Sequence, residues 1–123
     1  MALCSTLLLL LCVGVPCRAQ RPAMSPEVAK KRSQRVIEIT NRERVMQGLP
    51  PLKRHEVLCQ AATWMAKDMA ENRYFANQDK QGRTVGLRLQ DFGYQKLRSI
   101  GENIAAGQEE PRDVVTEWIK SPS

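Results

Sequence analysis

The sequence predicts an α+β fold that is mostly helical, with about one short strand. Three observations carry this reading. Leu58, Ala61, Ala62, Met65 and Met69 recur at the i, i+3, i+4, i+7 spacing of a helix with one buried face. Val114, Val115, Trp118 and Ile119 repeat that spacing near the other end of the chain. Between them, "LRSIGENIAA" (97–106) alternates apolar and polar residues, the period-two pattern of a half-buried strand.

The elements follow in order. "QRPAMSPE" (20–27) is a lead-in with two prolines and no period. Ser25 is placed to cap a helix whose first residue is Pro26, since proline fixes a helical φ where its missing N–H costs nothing. That helix is expected to run to about Gln47, where Gly48 and then Pro50-Pro51 stop it. Its apolar face is thin (Val36, Ile39 and Met46, flanked by Ile37), which puts it at the edge of a core. The second helix ends near Asn72-Arg73, and "YFANQDKQGRT" opens a polar loop with two aromatics. Thr84 is a cap for the short segment "VGLRLQDFGY", which Gly93 closes. After the strand, "EEPRDVVTEWIK" has Pro111 in its first turn and reads as an amphipathic helix.

With 123 residues the chain holds one domain. Residues 1–19 have the layout of a signal peptide: an apolar run from Leu7 to Val15, then Pro16 and a small-residue end at Ala19. That run is well short of the ~20 residues a membrane-spanning helix needs, so no transmembrane anchor is expected there. The assignment is 1–19 signal peptide, 20–34 lead-in and start of the first helix, and 35–123 the domain. Secretion into an extracellular compartment follows. Cys4, Cys12 and Cys17 leave with the signal, so Cys59 remains alone and no disulfide framework forms.

There are 19 Lys and Arg against 13 Asp and Glu, a net charge of +6. Only Lys30, Lys31, Arg32 and Arg35 cluster, and they are expected to form a solvated helix face. No aromatics interleave with them, which argues against nucleic acid as a partner. No Gly-rich phosphate loop, HExxH, or CxxC in the mature chain is present.

Five segments, "ITNRERVMQGLPPLK" (39–53), "LCQAATWMAKDMAENRYF" (58–75), "QGRTVGLRLQDFGY" (81–94), "GENIAAGQ" (101–108) and "VVTEWIKSPS" (114–123), occur in the order of a known family. The chain resembles the CAP superfamily (the SCP-like, cysteine-rich secretory protein type) in its compact bacterial-type form. The resemblance implies an α-β-α sandwich, here the N-terminal two-thirds of a domain truncated at its C-terminus, because the family's later strands follow the position of Ser123.

The resemblance also nominates two cavity-lining residues, Glu102 within "GEN" and Asn77. In the family a cleft is lined by two histidines and acidic residues, and some members hold a divalent cation there. Here Asn77 stands where the first histidine follows the aromatic pair, and the second would lie beyond Ser123. No metal site and no cofactor is therefore expected, with a divalent cation admitted only if the C-terminal part exists. Glu102 has a structural alternative as an acceptor for backbone N–H groups. His55 and Cys59 share a helical face but nominate no orienting third group or oxyanion site, so a half-buried, packing Cys59 is expected. Trp64, Trp118, Tyr74, Phe75 and Tyr94 are read as core and layer-contact residues.

The functional expectation is a secreted, non-enzymatic CAP-like domain that binds extracellular lipid or sterol, glycan or protein partners. Two alternatives stand beside it. One is a metal- or acid–base-dependent hydrolase built around Glu102; the other is a non-functional fragment of a longer CAP protein.

Overall fold

The computed structural model describes residues 24–95 and 98–121. The signal segment 1–19, residues 20–23 of the lead-in, Leu97 of the expected strand and residues 122–123 lie outside them. Among the described residues four helices make up the regular structure: α1 Pro26–Met46, α2 Glu56–Glu71, α3 Val85–Asp91 and α4 Pro111–Lys120. α1 packs on α4, and α2 packs on α3.

The helix ends sit where local chemistry puts them. Ser25 accepts a hydrogen bond from Val28 N at 3.3 Å and caps α1 ahead of Pro26. At the other end Gly48 takes φ 72°, while Gly48 N and Leu49 N donate to Val45 O and Arg44 O. This is a Schellman closure, and it satisfies carbonyls that would otherwise be orphaned. α3 ends the same way: Gly93 at φ 81° and Tyr94 donate to Gln90 O and Leu89 O. α2 ends with Arg73 at φ 53°, the one non-glycine residue in the left-handed region among the described residues. The linker after α1 is pinned by Asn41, which donates to Leu52 O at 3.0 Å and accepts from Leu52 N at 2.7 Å.

Among the described residues the buried apolar ones are Ile39 of α1, Ala61 and Met65 of α2, Leu89 of α3 and Val115 of α4. Each helix thus contributes to the core, and α1 does so only at Ile39, in keeping with its thin stripe. Some expectations are corrected. Met46 is exposed rather than part of the α1 face, and Phe75 is 56% exposed rather than core. Arg32 is half-buried while Lys30, Lys31 and Arg35 are exposed, so the four do not form one solvated face. Thr84 occupies the N-cap position of α3 without a side-chain cap bond.

The largest correction concerns the strand. Residues 98–106 form no strand, and no strand occurs among the described residues. Without a neighbouring strand, the segment's carbonyls take side-chain donors instead: Asn77 reaches Glu102 O, and the Trp118 indole donates to Ile104 O at 3.0 Å. The alternation of residues was real, but it describes a segment held between a loop and a helix.

Candidate functional site

The site is built on the two segments that flank α3. Its anchor is Arg88, which is 2% exposed. The guanidinium donates through Nη1 to Asn77 O at 2.8 Å and to Arg83 O at 3.0 Å, and through Nη2 to Glu102 Oε1 at 2.5 Å. One side chain therefore joins α3, the 74–84 loop and the 98–106 segment. A buried guanidinium is tolerated only when its charge and donors are matched, and here a carboxylate and two carbonyls match them.

Glu102 lies between Arg88 and an open cleft. Its side chain retains 16% of its exposure against 3% for Arg88. Asn77 approaches from the opposite wall, its Nδ2 at 3.4 Å from both Glu102 O and Glu102 Oε2. The two residues nominated from the sequence are thus neighbours.

The 74–84 loop is shaped by Asp79, which is 5% exposed. Its Oδ1 accepts from Gln81 N at 3.0 Å and Arg83 N at 2.9 Å, and its Oδ2 from Arg83 Nε at 2.7 Å. Burial pushes the Asp79 carboxyl up, but the Arg83 and Gln81 donors and the Arg83 charge together hold it below the usual carboxylate range. Arg83 continues to Asp91 at 2.6 Å and lies over the Trp64 ring, 5.3 Å from its centroid. At the start of the loop Tyr74 donates to Asp68. Desolvation first, and that carboxylate second, push its hydroxyl up to about 12.

The cleft has a volume of about 320 Å³ and is lined by Phe75 and Asn77 of the 74–84 loop, by Glu102, Asn103 and Ile104, and by Trp118 of α4. A second, more apolar groove of about 230 Å³ runs past Leu58, Ala61, Val85 and Leu89, and shares Glu102 and Asn103 with the first. Glu102 thus borders both, and Arg88 lines the second.

His55 and Cys59 are not brought into this arrangement. His55 sits at the α2 N-cap with its ring edge-on to Tyr94 at 5.1 Å, and Cys59 is half-buried. Among the described residues no group of three or more His, Cys, Asp and Glu is placed to hold a metal ion. Glu102, the carboxylate lining the cleft, already faces a guanidinium and an amide. No helix among these residues is long and apolar enough to cross a membrane.

Sequence reasoning missed Arg88. A signal was present: Val85, Leu89 and Phe92 form the apolar stripe of α3, and Arg88 falls on it, three residues after Val85 and four before Phe92. A charge on an apolar stripe has to find a buried partner, and Glu102 is the acid fourteen residues on.

Residues 37–123 match the model of the CAP family, described as the cysteine-rich secretory protein family. The chain is 37% identical over 100 residues to the uncharacterized protein YkwD of Bacillus subtilis (strain 168), covering 79% of this chain and 37% of that one. It is 30% identical over 103 residues to the uncharacterized membrane protein YlbC of the same organism, covering 80% of this chain and 30% of that one. The chain spans about a third of the length of these curated relatives. No solved structure gives a significant match.

Proposed function

The chain belongs to the cysteine-rich secretory protein (CAP) family, and on that premise we propose that it is a secreted, non-enzymatic binding domain. Its binding site is the cleft beside Glu102, and its ligand is an extracellular lipid or sterol, glycan or protein. The four helices are the helical layers of an α-β-α sandwich.

The observation that carries this reading is the commitment of Glu102. A hydrolytic role asks that carboxylate to exchange a proton with substrate or water within hydrogen-bond reach. Here one oxygen is held by Arg88 at 2.5 Å and the other faces the Asn77 amide. Among the described residues no histidine lines the cleft to serve as its partner. A carboxylate fixed in this way shapes a wall and accepts hydrogen bonds. The exposed Phe75 ring and the Trp118 indole give the same cleft an apolar surface, the mixture small-molecule sites use for affinity and orientation.

The test is a retention and turnover assay on the purified full chain. Cholesterol-containing vesicles, an oligosaccharide array, and fluorogenic ester and peptide substrates are presented to the wild type and to Glu102→Gln. Saturable retention of one of the first two, with the retained molecule unchanged by mass, is the expected result. Product formation that scales with protein and vanishes in Glu102→Gln sinks the reading in favour of the hydrolase.

A further inference from the structure

Resting on that reading, we infer that the cleft between Phe75 and Trp118 takes a neutral sugar ring. The first consideration is charge. Among the described residues that line the cleft Glu102 is the ionisable one, and Arg88 compensates it from within the protein. The site therefore offers no net charge to a phosphate, a carboxylate or a cation. A neutral ligand is what such a wall accommodates without leaving an ion unpaired.

The second consideration is the pairing of surfaces. Phe75 is 56% exposed although it opens a loop that is otherwise pinned at Tyr74 and Asp79. Its ring is a flat apolar face beside hydrogen-bonding side chains. Pyranose rings carry the complementary pair: a face of C–H groups, weakly positive, that stacks on an aromatic quadrupole, and a rim of hydroxyls. Asn103 lines the cleft, is exposed, and makes no hydrogen bond to another described residue. An amide offers both donor and acceptor to such a rim, as does Asn77 across from it. Hydrocarbon seated here would desolvate Asn103 and the Glu102 carboxylate with nothing in return. That disfavours an acyl chain or sterol in this cleft.

Size agrees. A volume of about 320 Å³ lies at the lower end of the roughly 300–1,000 Å³ of small-molecule sites. It suits one ring-sized group with a neighbouring ring at the mouth. The more apolar groove shares Glu102 and Asn103 with this cleft, but its other walls are Leu58, Ala61, Val85 and Leu89, and these take no part.

The experiment uses the full chain with chitotriose and cellotriose as probes, followed by saturation-transfer NMR and calorimetric titration. Expected are saturation of ring C–H protons and saturable binding by at least one probe. Phe75→Ala should weaken that binding about tenfold, and Asn103→Ala about fivefold, as for a lost stacking face and a lost hydrogen bond. Ile119→Ala, on the exposed side of α4, should leave it unchanged. Circular dichroism establishes that each variant is folded. Absence of binding by both sugars at millimolar concentration overturns the inference, as does equal binding by wild type, Phe75→Ala and Asn103→Ala. Retention of cholesterol vesicles without either sugar overturns the sugar while leaving the binding-domain reading in place. Cleavage of a probe sugar overturns both.

Discussion

At the scale of single residues, Arg88 decides more than any other side chain. Three segments converge on its guanidinium, and its ion pair with Glu102 is buried on one side and half-open on the other. Replacing it with methionine fills similar space but leaves a carboxylate and two carbonyls without their donor. Breaking such a pair from one side costs about 3–5 kcal/mol. Arg88→Met is therefore expected to lower the denaturation midpoint sharply, and adding Glu102→Gln should recover part of the loss by removing the stranded charge. A double variant no more stable than Arg88→Met would show that the pair is not the source of the effect. Asp79 supplies a pH signature. Its carboxyl is held below the ordinary range in the folded state, so the unfolded chain takes up its proton first as pH falls. The stabilisation it provides is full above the ordinary carboxylate value of about 4 and is lost as pH drops through the lower folded value. Asp79→Asn should therefore melt below wild type at neutral pH, with the gap closing in acid. A gap that stays constant from pH 7 to pH 2 would contradict the role of the charge.

Among the helices, the ends rather than the middles offer the sharpest tests. Two Schellman closures use glycine, but α2 closes on Arg73 at φ 53°. A side chain there carries a steric cost of about 1 kcal/mol that glycine avoids. Arg73→Gly is expected to raise stability by about 0.5–1 kcal/mol, read from urea denaturation. Gly86 is the converse case. It lies inside α3, and a Cβ there would meet the Ile100 Cδ1 methyl at 3.2 Å and, at ordinary contact distance, Thr84 Oγ1 at 3.9 Å. Ile100 is 41% exposed and free to give way. Gly86→Ala should therefore gain helix propensity of up to about 1 kcal/mol, and a loss of stability would mean that Ile100 is locked. These ends were also what the sequence disclosed best. Ser25-Pro26, Gly48 before two prolines, Gly93 and Pro111 each mark a boundary by local chemistry alone. The segment 98–106 was not legible in the same way. Alternation specifies a strand only if a second strand is there to pair with, and here Asn77 and Trp118 supply the hydrogen bonds from outside the segment.

For the molecule as a whole, family membership and the helical order could be read from the residues, and so could the proximity of Asn77 to Glu102, through the resemblance alone. What holds them together could not. Arg88 acts through contacts eleven and fourteen residues away, and a pattern along the chain carries no distance across it. Phe75 failed for a related reason: an aromatic beside Tyr74 reads as core, yet Tyr74 turns inward to Asp68 while Phe75 remains at the cleft. The sequence-derived expectation of no metal site has its own check. With no group of three metal-ligating side chains among the described residues, millimolar calcium is expected to shift the melting temperature by less than about 1 °C, whereas a specific site would raise it by mass action. The central claim is that ligands enter the cleft lined by Phe75, Asn77, Glu102 and Trp118. It is tested most directly by an amide and indole NMR map recorded with whichever vesicle or oligosaccharide probe the protein retains. Shifts concentrated at Phe75, Asn77, Asn103 and the Trp118 indole N–H are the expected result. Shifts confined to Leu58, Ala61 and Val85 in the neighbouring groove, with the Trp118 indole unmoved, would contradict it.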